Sequence, residues 1–423
     1  MIRRLLAFLA ALALAVPALA QPQITPSDRV KRNVVVRPSP AATTVAGRLR
    51  PGEVAELLSE VPGWYQVRLS DGTVGFVSKT WTIVRDDGQP QPLVGGLLKV
   101  HVIDVGTGLA TFVEGPGFTM LYDAGSQDDL AMGAENRVLA YIKAVRPDVT
   151  TIDHLVLSHP HKDHLELMPD IFEAMTVRNV WDSGAINRTR GYCRFLTAVS
   201  REPGVQYHNA VATGGTHSVT FTGNSCSGTI AVPQAAMMSD QPVRLGPATT
   251  MTIVYGSAER RPNPNANTVV VRIDHGSNHV LFAGDAEGGG RVAPSNPPTV
   301  TSIEGKLVDC CRTALKADVL VVGHHGSLTS SRRAFLNAVG ASVFVISSGP
   351  HAYSKKVLPD PEVVAELKSR GTVFQTDIDD EACQGNDSKI GPDSDESPGG
   401  CDNVVVTVPT AGQITAAYNR TAD

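Results

Sequence analysis

The sequence predicts a layered α/β protein, an α-β-β-α sandwich, preceded by a small all-β unit. Three observations predict it. Short apolar runs of strand length recur between residues 98 and 346, with segments of helical spacing among them. Polar, chemistry-bearing side chains stand where several of those runs end, after Leu157, Ala283 and Val322. Between residues 34 and 84 the runs are shorter and are broken by Pro-Gly and Asp-Gly turns.

The first residues stand outside the fold. Arg3 and Arg4 precede an apolar run over 5–16, and Val16-Pro17-Ala18-Leu19-Ala20 offers the small residues a signal peptidase reads. Residues 1–20 are therefore expected to be a signal peptide, and the mature chain to be exported to a periplasmic or extracellular location. The run is too short to span a bilayer, and no later stretch reaches about 18 uninterrupted apolar residues. No cysteine follows Ala20 to carry a lipid.

A chain of 423 residues, 42% of them hydrophobic, can bury a large core and suggests two or three domains. Its net charge of −5, with both signs interspersed, argues against an overall electrostatic footprint for nucleic acid but leaves room for a local basic groove. Six cysteines in an exported chain suggest disulfides. Cys383 and Cys401 flank a Gly/Asp/Ser/Pro-rich insert and form the favoured pair; Cys193 with Cys226 is a second, and the pairing of adjacent Cys310 and Cys311 is open. None has the Cys-x-x-Cys spacing of a structural zinc site.

After a polar leader over 21–33, the runs Val34-Val35-Val36, Val54-Ala55-Glu56-Leu57-Leu58, Trp64-Tyr65-Gln66-Val67 and Val74-Gly75-Phe76-Val77 alternate with turns at Pro51-Gly52, Pro62-Gly63 and Asp71-Gly72. Residues 34–84 resemble a bacterial SH3-like domain. That resemblance implies a small barrel that contacts cell-wall peptides or packs on a neighbouring catalytic domain. Phe76 stands where that family usually carries tryptophan. Residues 86–92, rich in Asp, Gly and Pro, read as a linker to a second domain over 97–420.

In the second domain, 98–105 reads as a strand, and Thr111-Phe112-Val113 and Thr119-Met120-Leu121-Tyr122 continue as a meander closed by Asp123-Ala124-Gly125. Residues 136–145 have helical spacing. The run 152–157 delivers Ser158-His159-Pro160-His161-Lys162-Asp163-His164, followed by a helix-like segment over 165–175. Further strands are expected at 177–181, 251–254, 268–273, 279–282, 319–322 and 343–346.

Three histidines and an aspartate within the six residues 159–164, at a strand end, form a metal-ligand pattern. His159 and His161 are expected to point one way, and Asp163 and His164 toward a neighbouring position. Later, Phe282-Ala283-Gly284-Asp285 places a carboxylate at a glycine turn, where it could bridge two ions. The strand 319–322 then runs into Gly323-His324-His325-Gly326-Ser327. Asp123 is a candidate partner for a ligating imidazole, or simply a turn cap.

The order His-x-His-x-Asp-His, Gly-Asp, His-His-Gly-Ser resembles the metallo-β-lactamase-fold hydrolases, and more narrowly the C-terminal hydrolase domain of the competence protein ComEC. Supporting matches are Ile103-Asp104-Val105-Gly106, Tyr122-Asp123-Ala124-Gly125, the stretch 267–273 and the stretch 371–377. The resemblance implies a four-layered αββα metallo-β-lactamase fold, one or two divalent ions, zinc or else manganese, and hydrolysis of a phosphodiester or other ester-like bond, with nucleic acid among the substrates. Carried onto this chain, it makes His159, His161, Asp163, His164, Asp285 and His324 the ligands, with His324 and His325 interchangeable at this stage. Asp163 and His325 would act on water and leaving group.

Two departures stand out. Gly106-Thr107-Gly108-Leu109 lacks a polar residue usual in the family, and the familiar Asn-x-Tyr-Gly-His-Pro element appears as His351-Ala352-Tyr353-Ser354-Lys355. Many relatives also place a histidine between the first loop and Gly-Asp; His208 and His217 are the candidates, each better read as an ordinary loop histidine. The competing reading is a cell-wall-binding or scaffold protein whose lactamase fold has lost turnover.

Overall fold

The computed structural model describes residues 23–419 apart from 28, 52, 86–95, 212–214, 377 and 379–399. The expected signal peptide, the linker and the Cys383 end of one expected disulfide lie outside the described residues. The chain divides into two compact units, residues 1–92 and 93–423.

In the first unit a five-stranded sheet and a two-stranded ladder enclose Ile24, Val36, Leu49, Val67 and Val77. The sheet includes Gln23–Pro26, which the sequence places in a polar leader. One apolar residue suffices there: Ile24 is fully buried, and the strand is paired on both sides, by Ala55–Val61 and by Thr82–Arg85.

The second unit is built on alternation. In strand Phe118–Ala124, Leu121 joins one apolar cluster while Met120 and Tyr122 join another. In Thr151–Leu157, Leu155 and Leu157 face the first cluster and Val156 the second. In Asn278–Phe282, Val280 and Phe282 face that same second cluster and Leu281 a third. A strand period of two therefore sorts each run between two faces, and the shared cluster is the seam between two sheets. The outer clusters take helices Arg137–Val145 and Arg190–Arg201 on one side, and Ile303–Cys310, Arg333–Val339 and Pro361–Lys368 on the other. The result is the four-layered αββα metallo-β-lactamase fold, with a ten-stranded and a seven-stranded sheet among the described residues.

Parallel pairing sets where chemistry collects. Thr151–Leu157 runs parallel to both Phe118–Ala124 and Thr176–Asp182, and Val319–Val321 runs parallel to Asn278–Phe282 and Val343–Ile346. Tyr122 stitches the sheets together, its hydroxyl donating to the Val269 carbonyl at 2.6 Å and its ring 5.1 Å from that of Phe282.

Two expected elements change. The strand begun at Leu98 stops at Val102, because the Asp104 carboxylate turns the chain by accepting from the backbone N–H groups of Gly106, Cys401 and Asp402. The helix over 165–175 is two, Lys162–Leu165 and Met168–Ala174. The break falls where the Leu167 N–H leaves the helix for the Ala124 carbonyl and Pro169 begins a new first turn. Cys193 is bonded to Cys226, tying helix Arg190–Arg201 to strand Cys226–Met237, and Cys310 is bonded to Cys311.

Phe282→Ala should cost about 3–5 kcal/mol in urea unfolding, since a fully buried ring in the inter-sheet seam leaves a cavity. Val300→Ala, at a side chain 84% exposed, should stay within about 0.5 kcal/mol.

Candidate metal centre

Four segments converge at the strand ends. Ser158 to His164 follow Thr151–Leu157, Asp123 ends Phe118–Ala124, Asp285 follows Asn278–Phe282, and His324 and His325 follow Val319–Val321. The backbone is strained where it turns into the site. Asp123, His324 and His325 are left-handed, with φ of 57°, 49° and 52°, a conformation that costs non-glycine residues about 1–3 kcal/mol each. Gly284, at φ 49°, has no room for a side chain: a Cβ there would lie 2.8 Å from the Tyr122 hydroxyl and 2.9 Å from the Ser158 Cβ.

The donors form two overlapping groups. His159, His164 and Asp285 make one; Asp163, His164 and His325 make the other, all buried, with ligand atoms within 4.8 Å of one another in each group. His164 belongs to both. The expected split of the first loop into two pairs is thus replaced by a chain of contacts through His164, whose ring centroid is 4.2 Å from that of His159 and 5.2 Å from that of His325. Asp285 faces both groups: Oδ2 is 3.4 Å from His159 Nε2, and Oδ1 is 3.3 Å from His164 Nε2 and 3.8 Å from His325 Nε2. His161 stands at the rim, its Nδ1 2.9 Å from His159 Nε2.

Each inward imidazole is held from behind. His164 Nδ1–H donates to Asp123 Oδ2 at 2.8 Å, and Asp123 is fixed in turn by the backbone N–H and the hydroxyl of Ser158, both at 2.6 Å. His325 Nδ1–H donates to the Ser347 carbonyl at 2.9 Å. Both rings then present Nε2 as a bare lone pair, and those two atoms, with Asp285 Oδ1, are buried without a hydrogen-bond partner. Buried polar atoms are rarely left this way. A divalent cation is the partner they fit: it takes neutral imidazole nitrogens and carboxylate oxygens together, at one point.

The electrostatics agree. Burial alone would push the Asp285 carboxyl up, but the imidazoles of His164, His324, His159 and His325 hold it well below the usual carboxylate range. Burial, reinforced by the neighbouring His164, keeps His159 far below the usual histidine range and therefore neutral. For His164 burial acts the same way, but Asp285 and Asp123 outweigh it and raise its affinity for a proton. A metal ion at that spot would occupy the proton's place.

The paired histidines divide in the opposite sense from the expectation that His324 is the ligand. His325 has the lone pair aimed inward, 3.5 Å from Asp163 Oδ2. His324 is engaged elsewhere: its Nδ1 contacts Thr329 Oγ1 at 2.7 Å and Glu287 at 3.3 Å, while Asn265 donates to its Nε2 at 3.3 Å. Its Nε2 is 3.7 Å from Asp285 Oδ2, at the edge of the first group. Neither His208 nor His217 joins the centre. His208 stacks on Trp181 with centroids 4.0 Å apart, and His217 lies 3.4 Å from the Tyr192 hydroxyl. Tyr353, which the sequence marks only as part of an altered motif, donates its hydroxyl to Asp163 from hairpin strand Ala352–Tyr353.

Two family models match the chain. Residues 103–180 match the family model of the metallo-β-lactamase superfamily, and residues 33–83 that of the bacterial SH3 domain. Recombination protein 2 of Haemophilus influenzae is 28% identical over 251 residues, 59% of this chain and 24% of that protein; the chain thus spans about a quarter of that relative. Among solved structures, the metallo-β-lactamase fold protein YhfI of Bacillus subtilis aligns with TM-score 0.37 and 17% identity over 66% of this chain and 96% of its own. CmlA, a diiron β-hydroxylase of Streptomyces venezuelae, aligns with TM-score 0.36 and 14% identity over 67% of this chain and 53% of its own.

Asp123→Asn should weaken zinc binding about 10- to 100-fold in competition with a chromophoric chelator, because the amide no longer fixes the His164 tautomer. Asp285→Asn should cost more than Asp123→Asn in the same titration, since it removes the carboxylate that faces both groups.

Proposed function

From a metallo-β-lactamase domain that follows a bacterial SH3 domain, we propose an exported metal-dependent hydrolase that cleaves phosphodiester bonds. The observation that carries this reading is the convergence of His164 Nε2, His325 Nε2 and Asp285 Oδ1, three buried atoms without a partner of their own. Nitrogen and oxygen donors together favour zinc, with manganese as the second choice. His159, His161, Asp163, His164, Asp285 and His325 would hold one or two ions, with His324 at the margin. A bound ion would supply a water acidic enough to be hydroxide near neutral pH, and would polarise the oxygen under attack.

The chain's own residues do the rest. Asp123 and the Ser347 carbonyl set the two inward rings and their tautomers, so the donors need no reorganisation. Asp163 orients the attacking water, and Tyr353 keeps that carboxylate in place. Burial, and then Asp163 itself, push the Tyr353 phenol well above the usual range, so it stays protonated and keeps its donation to Asp163. His324, which is 22% exposed in its side chain and carries Glu287 behind it, would face the substrate from the margin of the centre.

The phosphodiester choice leans on the stretch shared with Recombination protein 2, named for a process on nucleic acid, and on the His-His-Gly-Ser ending. Export rests on the signal-like pattern of the first 20 residues. The SH3 unit would contact cell-wall peptide. Because neither His208 nor His217 reaches the centre, the competing reading is a metal-binding scaffold without turnover.

Purified protein should contain zinc and hydrolyse bis-p-nitrophenyl phosphate and single-stranded DNA, but not nitrocefin. His161→Ala should lower kcat/KM on the phosphodiester at least about 100-fold, equivalent to about 2.7 kcal/mol of transition-state stabilisation. Stoichiometric metal with no turnover on either phosphodiester would leave the scaffold reading standing.

A further inference from the structure

We infer that a groove leading away from the metal loop binds the phosphate backbone of a single-stranded nucleic acid through Arg188, Arg260 and Arg261. This rests on the hydrolase reading above and narrows it: the substrate is a chain of phosphodiesters rather than a small ester.

Two recesses, of about 560 and 430 Å³, both include Ile186, Arg188 and Arg260 in their walls and so lie side by side along one groove lined by those residues. Its near end is lined by Pro160, the residue between His159 and His161, and by Asn267; its far end reaches His217 and Gln234. One wall is the loop that follows strand Thr176–Asp182, and the other is the loop that follows strand Thr249–Tyr255.

Both walls are tied to the centre. Asn187 Nδ2 donates to the Pro160 carbonyl at 3.1 Å, and Asn265 Nδ2 on the second loop donates to His324 Nε2 at 3.3 Å, while Asn267 Nδ2 braces that loop through the carbonyls of Ser257 and Glu259, each at 2.7 Å. The loops that carry the arginines are therefore anchored beside the metal loop, which is what positioning a scissile bond requires.

The charge is local. Among the described residues three arginines and no carboxylate line the groove, in a chain whose net charge is −5. Arg260 makes no hydrogen bond or ion pair among the described residues. Arg188 uses Nε on the Thr220 carbonyl at 3.3 Å, and Arg261 is shared with Glu259 at 2.5 Å; all three guanidinium groups stand at the surface. Guanidinium groups are suited to phosphate because they offer a planar fork of donors.

No Phe, Tyr or Trp lines the groove among the described residues, which offer none of the stacking platforms that hold bases. Contact through phosphates alone predicts binding indifferent to sequence. Recesses of this size belong to the range of small-molecule sites, about 300–1,000 Å³. They admit a few nucleotides of one strand and exclude a duplex.

The test is fluorescence anisotropy of a labelled oligothymidylate with the metal-free full chain, over a salt series, beside the Arg188→Gln/Arg260→Gln double variant. Three phosphate contacts on a single strand give a slope of log K against log salt of about −2, and losing two reduces its magnitude by about 1.4. Arg188→Lys/Arg260→Lys keeps both charges and should keep the wild-type slope, which separates lost charge from misfolding. An unaltered slope in the glutamine variant overturns the inference, as does absence of strand binding by the wild type. Equal affinity for heparin or for duplex DNA overturns the assignment to a single phosphodiester strand. Strand binding with the expected slope, but no wild-type turnover of bis-p-nitrophenyl phosphate, sinks the hydrolase reading and leaves the groove standing.

Discussion

A buried carboxylate facing several buried imidazoles is the constraint on which the rest of the second unit depends. Asp285 is 2% exposed, and His159 and His164 are wholly buried. Taking such groups out of water costs several kcal/mol apiece unless opposite charge or hydrogen bonds replace the lost hydration. The protein supplies some of that replacement from behind, through Asp123 and Ser347, and leaves the inward-facing atoms without a hydrogen-bond partner. Binding of a divalent cation by those atoms would be coupled to folding of the surrounding strand ends.

The sandwich makes this arrangement possible by separating tasks. Alternate residues of each strand serve the inter-sheet seam and the outer helix layers, which leaves the strand ends free of packing duties. Parallel neighbours then bring those ends to the same edge, so that residues more than 150 positions apart, such as Asp123 and His325, share one site. The strained backbone at Asp123, His324 and His325 is tolerable because it is anchored to this rigid edge rather than to a mobile loop.

Much of this was legible in the sequence because a polar residue directly after an apolar run is conspicuous, whatever the fold. That signal picked out the 159–164 loop, Asp285 and the paired histidines, and the alternating runs carried the two-sheet architecture. It fails where the deciding variable is backbone direction. Nothing in two adjacent identical letters says that His325 turns inward against Ser347 while His324 turns to Thr329 and Glu287. It also fails where a group arrives from a remote hairpin, as Tyr353 does, or where partners rather than apolar content make a strand, as at Gln23–Pro26. Long hairpin strands Thr216–Gly223 and Cys226–Met237 went unread because their threonines, serines and glycines give little apolar contrast, although Val219, Phe221 and Val232 are buried at alternate places.

The left-handed pair at His324 and His325 bears on what evolution can do with this segment. Connections between strands usually accept an added or deleted residue at little cost. Here a slip of one position would hand the Ser347 contact to the wrong imidazole and strip Thr329 and Glu287 of theirs, undoing both assignments together. Residues 323–327 form a short connection that is buried except at half-buried His324, and its length should be as invariant among descendants of this chain as that of any core strand.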